Sequence, residues 1–175
     1  MKKILIGTHN KGKFKEISYL LSNKINKISP QKLKIKSPKE TGKTFEANAK
    51  LKANYFSQFT TLPVISDDSG LSIKALGGRP GIYSARWAKK YGSFNDAMKF
   101  ILNKMKKKVN RSAVFVCSLS FKSAGKKITT VTGKIKGSIS LKIIGSRGFG
   151  YDPIFIPFSK SITFGQMTKQ SKIKM

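Results

Sequence analysis

The chain has 175 residues, 39% of them hydrophobic and 10% aromatic, which is enough for one real core and too apolar for a disordered basic tail. It carries 36 Lys plus Arg against 7 Asp plus Glu, a net charge of +29. No apolar run approaches the ~18–20 residues that would span a bilayer. The N-terminal apolar run is shorter than the ~7–15 residues of a signal-peptide core, so a cytoplasmic protein is expected. Cys117 is the only cysteine. It excludes an internal disulfide, and its setting in AVFVCSLSF predicts a buried, inert thiol. Clustered cations would point to nucleic acid. Here the lysines scatter through almost every segment, and only KMKKK (104–108) is a tight cluster, which reads as a solvated helix end. Specific nucleic-acid binding is therefore not expected, whereas small anionic substrates such as nucleotides suit the field.

KKILIGT at the N-terminus reads as a short buried strand. After the polar loop THNKGK, the spacing of Phe14, Ile17, Leu20 and Leu21 predicts a helix. A lysine-rich, proline-punctuated stretch over 24–43 has short strand character. Thr44 can cap a second helix whose buried stripe is Phe45, Ala49, Ala53 and Phe56. Two short strands are predicted at VIS (64–66) and LSI (71–73), followed by the turn-rich LGGRPG. Ser93 and Asp96 form a capping pair opening a helix striped by Phe94, Ala97, Met98, Ile101, Leu102 and Met105. From Ala113 to Ile156 the pattern is β-like, in the pieces AVFVCSLSF, KKITTVTG, GKIKGSISL and YDPIFIP. Interleaved helices and strands followed by mainly strands argue for a mixed α/β fold around a substantial sheet.

In so basic a chain each acid invites a reason. Asp96 caps a helix, Glu46 favours the positive start of its helix, and Glu16 can pair with lysines on its own helix. Glu40, Asp67, Asp68 and Asp152 lack such local roles. Paired carboxylates at the end of a strand are a common way to hold Mg²⁺, a hard cation that prefers oxygen. The bland alternative is an Asp-rich turn before Gly70. Adjacent strand residues point to opposite faces, so one aspartate would face a site while the other supports it, for instance by bonding the following turn.

GTHNKGKF (7–14) follows a strand and opens a helix. Gly7, Gly12 and Lys13 match the first seven positions of a P-loop, but Phe14 stands where a metal-binding Ser or Thr is required. A P-loop NTPase or kinase is thus one alternative, and a basic nucleic-acid module is another. In either enzyme reading, exposed N–H groups at the helix start, together with Lys11 and Lys13, suit phosphate. An ordinary polar connection would look the same. His9, the lone histidine, has no Ser/His/Asp or Cys/His set to complete.

The combination of THNKGK, ETGKTFEANAKLKA, SDDSGLSIKALGGRPGIYSAR and GFGYDPIF, in this order, resembles the inosine triphosphate pyrophosphatase family, also called dITP/XTP pyrophosphatases. The resemblance implies an α/β fold with two lobes around a long twisted mixed β-sheet with flanking helices, and an active-site cleft between the lobes. It implies Mg²⁺-dependent hydrolysis of ITP, dITP and XTP to the monophosphate and pyrophosphate, usually by a homodimer. Carried over by position, Thr8, His9, Asn10, Lys11, Gly12 and Lys13 would line the triphosphate with Lys52. Glu40 and Asp68 would hold Mg²⁺, Asp68 would activate water, and Ser69 would contact substrate. Phe149, Gly150, Tyr151 and Asp152 would form the nucleoside pocket, and Lys172 would contact the nucleotide. From the residues alone, Phe149 and Tyr151 could equally be core or sheet-edge aromatics. In the family the segment matching MTKQSKIKM runs on into Ser-His-Arg and a closing helix, beyond Met175 here. Residues 1–175 are therefore expected to form one C-terminally short domain, with base discrimination in question and a truncated, inactive relative as a further alternative.

Overall fold

The computed structural model describes residues 2–175. In chain order these form β1 (Lys2–Ile6), α1 (Lys11–Leu20), β2 (Ile25–Ile28), α2 (Phe45–Ser57), β3 (Val64–Ile73), α3 (Ser84–Tyr91), α4 (Phe94–Met105), β4 (Ser112–Lys122), β5 (Thr129–Ile139), β6 (Phe155–Pro157) and α5 (Lys169–Ile173). The strands make one six-stranded sheet in the order β2-β1-β3-β4-β5-β6. It is mixed: β1 runs parallel to both β2 and β3, and β5 runs antiparallel to β6. The expected α/β class holds. No helix among the described residues is long and apolar enough to cross a membrane.

The chain divides into two compact units, one of residues up to 68 with 117–133 and one of 69–116 with 134–175. β3, β4 and β5 each pass from one unit to the other. In the first unit, Leu5, Ile35, Phe56 and Val64 form a small core. β1 has β2 on one side and β3 on the other, so the chain steps from β1 to β2 through α1 and then back past β1 to β3 through α2, and the two connections run in opposite directions. With right-handed crossovers this places α1 and α2 on opposite faces, and ligands of such sheets bind beyond the strand C-termini at this point of reversal. The buried hydroxyls of Ser118 and Ser120 on β4 pair with Thr132 and Thr130 on β5, each at 2.8 Å.

The second unit has the larger core, built from Leu71, Ile73, the α4 stripe of Ala97, Met98, Ile101 and Met105, and Tyr151, Ile154, Phe155 and Phe164. α4 begins at Ser93, whose hydroxyl accepts from the Asp96 N–H at 3.1 Å and donates to its carboxylate at 2.6 Å. The hydroxyl, more than the nearby Lys99, holds the Asp96 pKa below its ordinary value. At the other end Arg111 donates to the carbonyls of Met105 (3.2 Å), Ile139 (2.6 Å) and Ser140 (2.5 Å). One guanidinium therefore joins the Lys108 N–H on a carbonyl of the last turn and ties that turn to β5.

Several elements differ from the sequence reading. VIS and LSI are one ten-residue strand, because Gly70 continues the extended chain where a turn was expected. KKITTVTG and GKIKGSISL likewise join into β5 through Gly133. Residues 84–91 form a helix in a stretch to which the sequence reading assigned no element. Leu20 ends α1 in solvent, leaving Ile17 as the buried residue of that helix. Cys117 is exposed, not buried as expected. Its thiol is still disfavoured as thiolate: desolvation first, and the Asp67 carboxylate second, push its pKa up to about 11.

Gly70 shows why glycine is required in mid-strand. A Cβ there would collide with the Gly81 carbonyl oxygen and the Ser84 hydroxyl, the group that accepts from the Leu71 N–H at 3.0 Å. Gly70→Ala is therefore expected to destabilise the fold by about 1–3 kcal/mol through overpacking. The check is the thermal unfolding midpoint, and an unchanged midpoint would refute the close contact.

Candidate active site

Beyond the C-terminal end of β1, the loop before α1 is held by its own side chains. The Asn10 carboxamide oxygen accepts from the Gly12 and Lys13 N–H groups at 2.9 and 3.1 Å, and the Asn10 N–H donates to the Thr8 hydroxyl at 3.2 Å. His9 donates from Nε2 to the Ile35 carbonyl at 3.0 Å. A P-loop depends on open amides at this helix start. Two of them are capped here, so the P-loop alternative loses its main support.

Asp67 and Asp68 lie in the middle of β3, not at a strand end as expected, and are both almost fully buried, at 2% and 4% exposure. Alternation along the strand sends them to opposite faces, and each meets a lysine from a different helix. Asp67 pairs with Lys13 of α1 at 2.8 Å. Asp68 lies 3.7 Å from Lys52 of α2 and accepts from the Asn48 side chain at 3.1 Å. Lys52 also donates to Glu40 at 2.9 Å, so two carboxylates converge on one ammonium. Asp67 thus supports the α1 lysine, where the sequence had suggested a bond to the following turn.

The electrostatics follow from burial. Desolvation alone would lower the Lys13 pKa, but the charge and hydrogen bond of Asp67 outweigh it and raise it. For Asp68, desolvation is the largest effect and raises the carboxyl pKa; Lys52 and Lys13 oppose it, Glu40 adds to it, and the Asn48 bond opposes it slightly. The result is a carboxylate held in its less comfortable state, suited to accepting a proton.

A separate set lies in the second unit. The Asp152 carboxylate, itself buried, accepts from the Phe149 N–H at 2.9 Å and from Lys172 at 2.8 Å. The Lys172 ammonium also sits 5.4 Å from the Phe149 ring centroid and 5.2 Å from that of Phe164, within cation–π range. Gly148, at φ +76°, makes this possible, since a Cβ there would strike the Asp152 carboxylate. Tyr151 turns inward: its ring joins the core and its hydroxyl donates to the Ser84 carbonyl at 3.0 Å. Burial raises its pKa.

The sequence model of the Ham1 family matches residues 4–175. This chain belongs to the Ham1 family. It is 43% identical to a dITP/XTP pyrophosphatase of Oceanobacillus iheyensis over 98% of its own length and 90% of the relative's. It is 39% identical to one of Caulobacter vibrioides, with 99% and 90% covered. Its fold matches that of the Ham1 protein of Staphylococcus aureus with a TM-score of 0.86 at 35% identity, covering 99% of this chain and 91% of that one.

In this Ham1-family chain, Thr8, Asn10, Gly12, Lys13, Glu40, Lys52 and Asp68 gather in the first unit, with Lys11 exposed on the first residue of α1 and His9 anchoring the loop. Phe149, Gly150, Asp152 and Lys172 gather in the second, and Ser69 follows Asp68 at the half-buried start of its unit. Of the expected nucleoside group, only Tyr151 has its side chain committed to the core. Asn48 was missed by sequence reasoning. It is fully buried, accepts from the Gly42 N–H at 2.8 Å and donates to Asp68. A signal existed: a poor helix former on a buried stripe, four residues before Lys52 and so on the same helical face.

Because folding raises the Asp68 pKa, the folded chain binds that proton more readily than the unfolded chain. The ionised carboxylate then costs stability at neutral pH, and the cost vanishes as pH falls through the ordinary carboxylate range. In metal-free buffer, Asp68→Asn is expected to raise stability at pH 7 by about 1 kcal/mol, as relief of a strained functional residue does. The gain should disappear on acidification. Thermal melts of both proteins across pH test this, and a destabilised variant at neutral pH would contradict it.

Proposed function

We propose that the chain hydrolyses dITP, XTP and ITP to the monophosphate and pyrophosphate, cleansing the nucleotide pool. The observation that carries the reading is the convergence of Glu40 and Asp68 on Lys52, residues the family resemblance assigns to metal and water activation, in a chain whose relatives are named for this activity. Asp68 is the base. Desolvation favours its protonated form, so it takes the proton of the attacking water as the α–β anhydride is cleaved and pyrophosphate leaves. Lys52 and Lys13 balance charge on the phosphate oxygens, and Asp67 keeps Lys13 in place. Asn48 and Lys52 orient the Asp68 carboxylate. In the second unit Phe149 offers its ring to the base, and Asp152 holds Lys172 toward the nucleotide.

The donor set suits Mg²⁺. Glu40 and Asp68 are hard oxygen ligands that already share a cation, and Glu40 raises the Asp68 pKa, so added positive charge is favoured there. No group of three or more His, Cys, Asp or Glu gathers among the described residues. Mg²⁺ is usually held by one or two carboxylates together with water and substrate phosphates. When bound it would offset charge on the phosphate oxygens and the leaving pyrophosphate. Glu40 and Asp68 would hold it. The same resemblance supports a homodimer.

Pyrophosphate should be released from dITP and XTP in preference to ATP and GTP, and chelation of divalent ions should abolish turnover. Asp68→Asn should lose at least about a hundred-fold in kcat, the lower range for a general base. A product assay resolving pyrophosphate from orthophosphate decides the reaction. Orthophosphate as product, or normal turnover in Asp68→Asn, would overturn the reading.

A further inference from the structure

The second unit holds a cavity of about 460 Å³ that shares no residue with Phe149, Asp152 or Lys172. Its size falls in the range of small-molecule sites. Trp87 and Tyr91, four residues apart, share one face of α3, Tyr83 precedes them at the N-cap of that helix, and Phe100 of α4 completes the wall. Tyr91 and Phe100 stack at 4.3 Å and 22°. Trp87 stands edge-on to both, at 5.9 Å and 82° and at 5.6 Å and 81°. The rings brace one another, so the wall is organised before anything binds.

The remaining lining is Leu76 and three cations, Arg79, Lys90 and Lys104; no acid lines the cavity. Lys90 lies 5.7 Å from the Tyr91 ring centroid and Lys104 5.6 Å from that of Phe100. Aromatic surface with one sign of charge at its rim selects an anion that carries a planar ring. It also opposes a second copy of this chain, whose face would bring the same three cations and whose net charge is +29. We propose that this cavity is a binding site for a small planar-ring anion of the nucleoside monophosphate type, the ring on the Trp87 wall and the phosphate on Arg79, Lys90 and Lys104. The proposal stands independently of the hydrolase reading.

Trp87 is the only tryptophan in the chain, so its fluorescence reports this cavity directly. The experiment titrates the full chain with AMP, adenosine and inorganic phosphate separately at low ionic strength. AMP should give a saturable change, with adenosine and phosphate each binding at least about ten-fold more weakly, since each keeps half of the recognition. The double variant K90E/K104E should weaken AMP at least about ten-fold with its thermal midpoint and dITP turnover unchanged. The proposal is overturned if AMP gives no saturable change, if adenosine binds as well as AMP, or if the double variant binds AMP normally. It is also overturned if Trp87 emission follows protein concentration alone, with sedimentation showing a dimer that the double variant loses. That result would assign the face to a second copy.

Discussion

Two carboxylates at adjacent positions of one strand, each buried and each met by an ammonium from a different helix, are what the first unit is arranged around. Removing two ions from water costs several kcal/mol apiece unless partners compensate, so Asp67 and Asp68 are tolerable only because Lys13 and Lys52 arrive at 2.8 and 3.7 Å. Those arrivals depend on the reversal of strand order at β1, which sends α1 to one face and α2 to the other. The Asn10 cap then sets where α1 starts, and thus where Lys13 points. Asn48 and Lys52, one helical turn apart, approach Asp68 together.

The two pairs are not equivalent. The Asp67–Lys13 pair is short and its ammonium gains from the partnership, which makes it a positioning device. Asp68 is met at longer range, shares its lysine with Glu40, and is left with a raised pKa. A residue kept in an unfavourable state by its surroundings is what proton-transfer chemistry uses and what stability alone would remove.

The second unit repeats the theme with different means. There one carboxylate, Asp152, gathers a backbone N–H and the Lys172 ammonium, and the cation in turn rests over two phenylalanine rings. Glycine at position 148 leaves room for the carboxylate where any side chain would intrude. Tyr151 makes the loop rigid from beneath by anchoring to the Ser84 carbonyl.

Much of this was legible from residues alone. The caps at Thr44 and Ser93, the α4 stripe and the scarcity of acids are local patterns, and local patterns survive in sequence because hydrogen-bond geometry and periodicity bind near neighbours. The sequence therefore determined the fold class, the family, and the carboxylates worth attention. It did not determine that VIS and LSI are one strand, that Cys117 is exposed, or that Tyr151 points inward. Nor could it pair Asp67 with Lys13, Asn48 with Asp68, or Trp87 with Phe100. Those contacts join residues far apart in the chain or depend on which face of an element is covered, and only the packing of helices against strands decides that.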